Sequence, residues 1–172
     1  MAQIRNMDER EAERVRDLWS QMCVEAGTPL PASSAQLILA NLKQYATHQA
    51  VHCFVAEEQL ILIGFVTCSV TSHPVMPGLM GEIEELYVQS NPNWQEVQAE
   101  LVRQAVTFIQ GRGARSVHTR IGIEKESPKE EEQRAFWQSL GWENDMTIYS
   151  IYSNVPGDTA LQGVWDEYQV EA

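Results

Sequence analysis

The sequence predicts an α/β protein built on one mixed sheet with helices on both faces. Two segments of helical periodicity precede an apolar hairpin, and a strand–helix–strand unit follows that hairpin. A further amphipathic segment comes after this unit. Two strands joined by a single helix need a crossover connection, so they run parallel, whereas the hairpin is antiparallel. The sheet is therefore mixed.

Length and composition fit one domain with a sizeable core. The chain has 172 residues, of which 44% are hydrophobic, and this argues against disorder. No apolar run is long enough to cross a bilayer. The N-terminal residues lack the apolar region of a signal peptide, so we expect a cytoplasmic protein that is not bound to a membrane.

The chain is acidic, with a formal net charge of -12. Such a charge repels phosphate backbones and argues against a nucleic-acid partner. An acidic cleft could attract amines or polyamines, although a solvated acidic surface explains the same charge. Cys23, Cys53 and Cys68 have no CxxC spacing, which argues against a metal or redox motif.

The first half of the chain begins with a short strand, Gln3–Met7, and two helices. Asp8–Ala26 carries an apolar stripe at helical spacing and ends at Gly27. The second helix runs from about Ser33 to Tyr45. Four of its residues are expected to face inward: Leu37, Ile38, Leu42 and Tyr45.

The hairpin consists of Ala50–Ala56 and Leu60–Thr71, joined by a turn at Glu57–Gln59. Gly64 lies inside its second strand and indicates a bulge or a close approach by a neighbouring strand. A proline-containing connection, Ser72–Met80, leads to the central unit.

The central unit is Gly81–Gly113. Its first segment is apolar on both faces, as in a strand covered on both sides, and Ser90–Asn93 gives the turn after it. A long helix follows, whose apolar residues are Val97, Leu101, Val102, Ala105, Phe108 and Ile109. Ser116–Ile123 is the fifth strand.

The last helix opens with Ser127 as N-cap, Pro128 as the first helical residue and Glu130 in a capping box. Its inward residues are expected to be Ala135, Phe136 and Leu140. Trp142–Glu143 and Met146–Tyr152 predict a final antiparallel pair. The acidic tail with Trp165 and Tyr168 could dock on the domain or on a second subunit.

The strand EELYV, the helix that ends in GRGAR, the strand SVHTRI and the segment AFWQSLGWE resemble the core of the GNAT superfamily of acyl-CoA N-acyltransferases. The resemblance covers most of residues 2–152. It implies a GNAT-like domain over residues 1–152, with splayed central strands, followed by a tail at 153–172. It also implies transfer of an acyl group from acetyl-CoA to a small-molecule or protein amine, and allows the homodimer found in many relatives.

The resemblance places cofactor contacts first on the central strand. In the family, the pantetheine arm pairs like a strand with the main chain that corresponds here to Leu86, Tyr87 and Val88. The pyrophosphate binds the loop before the long helix through a Q/R-x-x-G-x-G/A motif, where free N–H groups meet the anion. The candidate residues in that loop are Asn93, Val97 and Gln98.

Both glycines of this motif are absent, because Glu96 and Gln98 stand at their positions. A carboxylate at Glu96 would oppose a pyrophosphate by its charge and its bulk. Asn93 and Glu96 also have the spacing of an N-cap and its N3 partner, so they predict a capping box. That box would satisfy some of the N–H groups on which an anion depends, and it is favoured here over cofactor binding.

Many GNAT enzymes use a glutamate on the central strand, directly or through water, to deprotonate the amine. The candidates are Glu82, Glu84 and Glu85. Strand periodicity puts Glu82 and Glu84 on one face and Glu85 on the other. Burial between apolar strands would raise the pKa of such a carboxylate and suit it to act as a base, although a pairing with arginines such as Arg120 is the structural alternative.

Two further family positions depart from the pattern. Glu130 replaces an asparagine that contacts pantetheine, and Trp137 replaces the tyrosine that acts as general acid. An indole N–H does not ionise at neutral pH, so Tyr149 or Tyr152 would have to substitute unless they only pack in the sheet. Two functions therefore stay open: an N-acetyltransferase with a divergent cofactor loop, and an inactive GNAT-fold binding or regulatory module that has lost acetyl-CoA binding.

Overall fold

A computed structural model describes residues 2–72, 78–119 and 128–142 of the chain. The elements are β1 (Gln3–Asn6), a 3-10 turn (Glu9–Glu11), α1 (Ala12–Glu25), α2 (Ala32–Tyr45), β2 (Val51–Glu58), β3 (Ile61–Ser72), β4 (Leu79–Val88), α3 (Trp94–Gly111), β5 (Ala114–Thr119) and α4 (Pro128–Ser139). The expected capping box at Ser127 and Glu130, the final strand pair and the tail lie outside the described residues and side chains. No helix within the described ranges is long and apolar enough to cross a membrane.

The five strands form one mixed sheet in the order β1-β2-β3-β4-β5. Each of the first three pairings is antiparallel, and β4 pairs with β5 in parallel through the α3 crossover. The prediction of a mixed α/β sheet is thus confirmed. The parallel pair, β4 and β5, coincides with the strand–helix–strand unit that the sequence predicts.

Helices cover both faces of this sheet. One face packs against α3 and α4, and its buried side chains include Phe54, Val66, Ile83, Leu101 and Ile109. The other face packs against α1 and α2, and its buried side chains include Val15, Leu18, Leu42, Phe65 and Tyr87. Strand β4 therefore contributes to two separate apolar layers.

Two glycines permit close packing around β4. A Cβ at Gly64 would lie 2.7 Å from the carbonyl oxygen of Tyr87, so the close approach predicted there is confirmed. A β2–β3 register shift also lies between Ala56 and Glu57, beside Gly64. A Cβ at Gly81 would lie 2.0 Å from a methyl group of Ile109, so α3 packs directly on the β4 backbone.

Three local predictions were wrong. The hairpin turn is formed by Gln59 and Leu60, with φ of 50° and 66°, because β2 continues to pair through Glu58. Leu37 is 63% exposed, since the buried stripe of α2 runs instead through Ile38, Leu39 and Leu42. In α4, Ala135 is exposed and Trp137 is buried, because the larger apolar side chain gains more from burial.

Candidate functional site

A bulge in β4 determines where its three glutamates point. In the antiparallel pairing, Glu85 lies opposite Thr67 and Ile83 lies opposite Cys68, so Glu84 is an extra residue. The extra residue resets the alternation of the strand, and Glu85 joins Glu82 on the α1/α2 face. The expectation that Glu85 points to the opposite face is therefore wrong.

Glu84 lies on the same face, where a tyrosine from α2 fixes it. The hydroxyl of Tyr45, the last residue of α2, donates a hydrogen bond to the Glu84 carboxylate. Burial raises the pKa of Tyr45, and this hydrogen bond raises it further. Tyr45 therefore stays a neutral donor. The sequence showed it only as an inward residue of an amphipathic helix and gave no sign of this contact.

Glu85 is the carboxyl group whose environment favours acid–base chemistry. Burial, and then the nearby charge of Glu84, raise its pKa to about 7. Helix α1 packs on the same face of the sheet as Glu85. There, burial and the charge of Glu85 raise the pKa of Cys23. A carboxyl group that titrates near neutral pH can both accept and release a proton under physiological conditions.

The stretch of sequence that contains the β4 glutamates has no lysine or arginine. No Lys or Arg occurs between Lys43 and Arg103, the stretch that contains β2, β3, β4 and the start of α3. No lysine or arginine of this stretch can therefore neutralise the β4 glutamates. No group of three or more His, Cys, Asp or Glu side chains that could hold a metal ion occurs in the described ranges.

Within the described ranges, the backbone of β4 has one edge without a pairing strand beyond the bulge. Pairing with β5 runs from Leu79 and Ala114 to Ile83 and Thr119, where the described part of β5 ends. Leu86, Tyr87 and Val88 pair with β3 on their other side. No strand within the described ranges pairs with their remaining edge, and a strand-like ligand would bind at such an edge.

The three side chains on this segment have separate surroundings. Leu86 and Val88 pack on the α3 face, and Tyr87 is buried on the α1/α2 face. The Tyr87 hydroxyl donates a 2.8 Å hydrogen bond to Glu25 at the end of α1. The side chains thus belong to the core, and only the backbone is available to a ligand.

The start of α3 differs from its predicted arrangement. Asn93 makes no side-chain capping bond, so the capping box with Glu96 is not formed. Asn93 has φ of -113° and ψ of 21°, which is not the extended conformation of a capping residue. Asn91 instead accepts a hydrogen bond from the Asn93 N–H at 2.9 Å and donates one to the Gln89 carbonyl at 3.0 Å.

This arrangement leaves two helix N–H groups available. The Trp94 N–H donates to the Asn91 carbonyl, and the Val97 N–H donates to the Asn93 carbonyl. The N–H groups of Gln95 and Glu96 have no such acceptor in the described part of the chain. They lie at the positive end of an 18-residue helix, a favourable location for an anion.

The side chains of the divergent loop differ in their exposure. Glu96 is exposed, Gln98 is half-buried, and the Val97 side chain is buried in the core below. The Glu96 carboxylate thus adds a negative charge near the two N–H groups, but it extends into solvent.

Trp137 belongs to the α3/α4 core. It is 8% exposed and makes edge-to-face contacts with Phe136 and Trp142, at ring-centroid distances of 5.4 and 4.8 Å. These contacts explain an apolar side chain at this position. Tyr149 and Tyr152, the suggested substitutes for a tyrosine here, lie outside the described residues.

Comparison of the sequence with protein-family models and with curated proteins gives no match. Solved structures do match. The aminoglycoside N-acetyltransferase AAC(6')-Iy in complex with CoA superposes with a TM-score of 0.72 at 18% identity, over 90% of this chain and 96% of that chain. Glucosamine-6-phosphate N-acetyltransferase from Arabidopsis thaliana gives 0.70 at 14% identity, over 90% and 99%. The chain has the GNAT fold.

The same GNAT fold also occurs in a neighbour described by another role. A transcriptional regulator from Bacillus halodurans C-125 superposes with a TM-score of 0.73 at 15% identity, over 89% of this chain and 100% of that chain. At such identities the likeness establishes the fold alone, because one fold supports many functions. The function has to be argued from the residues of the site.

Proposed function

We propose that this GNAT-fold chain is an acetyl-CoA-dependent N-acetyltransferase in which Glu85 is the general base. The observation that carries the proposal is the β4 bulge. It holds a half-buried carboxyl group with a pKa of about 7 next to a β4 edge that is unpaired in the described part of the chain. A base with this pKa is matched to deprotonating an amine at neutral pH.

Acetyl-CoA would supply the acetyl group as an activated thioester. The backbone of Leu86, Tyr87 and Val88 would hold the pantetheine arm by strand-like hydrogen bonds. The N–H groups of Gln95 and Glu96 would hold the pyrophosphate, with Asn93, Val97 and Gln98 forming the surrounding turn. The fit is supported by the N–H groups that the missing capping box leaves without an acceptor among the described residues.

In the proposed reaction, Glu84 and Glu85 have different roles. Glu84, held by Tyr45, attracts the acceptor ammonium group, and Glu85 takes the proton that the nitrogen must lose before it attacks. The new C–N bond forms as the C–S bond breaks. The departing sulfur takes a proton from solvent, because Trp137 has no proton that it can release at neutral pH. Glu82 lies on the same face and adds to the field that attracts a cation.

The acceptor in this proposal is a small-molecule or protein amine that is positively charged before it reacts. The chain between Lys43 and Arg103 has no cation to compete for the β4 carboxylates. The names of two neighbours specify an aminoglycoside and glucosamine 6-phosphate as amine substrates. A panel of such amines, assayed by thiol release from acetyl-CoA, should find an acceptor whose turnover is lost in Glu85→Gln.

Binding of acetyl-CoA is the first test. At a concentration of about a hundred times Kd, a ligand stabilises the fold by about 2.7 kcal/mol. For a chain of this size that free energy raises Tm by roughly 5–10 °C. Glu96→Gln should bind acetyl-CoA several-fold more tightly than wild type, because it removes a charge that opposes the pyrophosphate. Glu13→Gln, the same change at an exposed position on α1, should leave the affinity unchanged.

A second function is favoured by the apolar role of Trp137. Its burial leaves the family's usual acid position without a hydroxyl group, as expected of a GNAT-fold binding or regulatory module. If millimolar acetyl-CoA left Tm unchanged for wild type and Glu96→Gln alike, this module would replace the transferase. The search would then turn to partners of the acidic face of β4.

A further inference from the structure

Thr67 is a buried polar residue that the chemistry described so far does not use. It lies in the middle of β3 and is 0% exposed. Its hydroxyl oxygen has no hydrogen-bond partner among the described residues. A buried hydroxyl without a partner costs about 1–3 kcal/mol, so such groups usually bond to protein or to an ordered water.

The sheet register places Thr67 directly beside Glu85. Thr67 pairs with Glu85 on β4 and with Cys53 on β2, so the three residues form one row across the α1/α2 face. Directly opposed side chains in an antiparallel pair have Cβ atoms roughly 4.5–5.5 Å apart. This separation accommodates a water molecule between a hydroxyl and a carboxyl group.

The Glu85 carboxyl group also has unused hydrogen-bonding capacity. No residue in the described ranges donates a hydrogen bond to it, whereas its neighbour Glu84 accepts one from Tyr45. A half-buried carboxyl group and a buried hydroxyl group thus lie side by side on the α1/α2 face, each without a donor or acceptor from the described part of the protein. A single water molecule between them would satisfy both groups.

We infer that Thr67 is a positioning residue, whose hydroxyl holds the water molecule through which Glu85 receives the acceptor's proton. The water donates one hydrogen to Glu85 and accepts one from Thr67, and its remaining lone pair faces the amine. As the amine proton moves to this water, the water's own proton moves to Glu85. The water is left unchanged, and the nitrogen lone pair becomes free to attack. This inference rests on the proposed function.

Several ionisable groups surround Glu85, and they are the same in every variant of Thr67. They are Glu82 and Glu84 on β4, Cys23 on α1, Glu25 through its bond with Tyr87, Tyr45 on α2 and Cys53 on β2. A change in the titration of Glu85 on removal of the Thr67 hydroxyl would therefore report the hydroxyl itself.

The test compares Thr67→Val, which keeps the shape and removes the hydroxyl, with Thr67→Ser, which keeps the hydroxyl. The carboxyl carbon of Glu85 is titrated by NMR, with Glu85→Gln used to assign its signal. Thr67→Val is expected to move the Glu85 titration to higher pH by about one pH unit, because the carboxylate loses a water-mediated donor. Thr67→Ser should titrate like wild type.

Activity gives the second readout, once an acceptor is known. For Thr67→Val we expect kcat to fall about tenfold at neutral pH, the acidic limb of kcat/KM to move with the NMR titration, and KM for acetyl-CoA to stay unchanged. If Thr67→Val is folded and Glu85 titrates as in wild type, the inference is overturned and the hydroxyl is only a packing element.

The two proposals can fail separately. A wild-type protein that neither binds acetyl-CoA nor acetylates amines would end the transferase proposal, while the NMR titration would still decide whether Thr67 acts on Glu85. Conversely, the protein could acetylate an amine while Glu85 titrates identically in wild type and Thr67→Val. That result would support the transferase proposal and refute the positioning role of Thr67. The Tm of each Thr67 variant establishes that the folded protein is being compared.

Discussion

Replacing Glu85 by glutamine should change how the stability of the fold depends on pH. The pKa of Glu85 is about 7 in the folded protein, against an ordinary value of 4.5, because the carboxyl group is partly removed from water and lies near Glu84. The folded state thus holds a proton that the unfolded state has lost between these two values. The stabilisation is fully present below about pH 4.5 and is lost as pH rises to about 7.

The size of this effect follows from the difference of about 2.5 pH units. Each pH unit corresponds to about 1.4 kcal/mol, so wild type should lose up to about 3 kcal/mol of unfolding free energy across the window. Glu85→Gln has no proton to lose there. It should therefore be nearly as stable as wild type at pH 5, and more stable than wild type at pH 8.

The assay is urea unfolding at half-unit steps from pH 4.5 to pH 8.5, followed by tryptophan fluorescence. The quantity of interest is the difference in unfolding free energy between wild type and Glu85→Gln, since titrating groups that do not interact with Glu85 contribute equally to both. Glu13→Gln controls for the loss of one exposed carboxylate and should follow the wild-type curve. If the curves of wild type and Glu85→Gln ran parallel over the whole range, the raised pKa of Glu85 would be refuted.

Three further predictions concern the packing around the site, each measured as a change in unfolding free energy. Gly81→Ala should destabilise the fold by about 1–3 kcal/mol, because its methyl group would overlap Ile109; an unchanged midpoint would contradict the close packing of α3 on β4. Leu60→Gly should stabilise by about 1 kcal/mol, since Leu60 is 82% exposed and adopts φ of 66°; destabilisation would show that its side chain matters. Asn91→Ala should cost about 1 kcal/mol, whereas Asn93→Ala should cost only a few tenths, because Asn91 makes the loop hydrogen bonds and Asn93 makes no side-chain cap. The reverse order would restore Asn93 as the capping residue.

The order of elements and the fold class could be predicted from local sequence patterns. The 3.6-residue and two-residue periods separate helices from strands over a few turns of chain, and a single crossover helix forces the strands on either side to be parallel. The glycine at position 64 likewise predicted a close approach by a neighbouring strand, although the sequence did not identify β4 as that strand. These features depend on interactions within a segment or between successive segments.

The direction of Glu85 could not be predicted in this way. A strand that alternates regularly sends Glu84 and Glu85 to opposite faces, and only its pairing with β3 reveals the extra residue at Glu84. The same applies to Thr67, whose importance comes from lying opposite Glu85. Register is a property of two strands together, so neither strand's sequence contains it.

The start of α3 and the burial of Glu85 were also decided by tertiary structure. Asn93 and Glu96 have the spacing of a capping box, but the loop bonds of Asn91 hold Asn93 in a backbone conformation that does not cap the helix. The raised pKa of Glu85 requires that the α1/α2 layer cover it, because desolvation is set by neighbours distant in sequence. The sequence by itself determined that a helix follows the glutamate-bearing strand. Tertiary packing decided which glutamate has a raised pKa and which N–H groups at the start of α3 lack an acceptor in the described part of the chain, because both depend on contacts between segments.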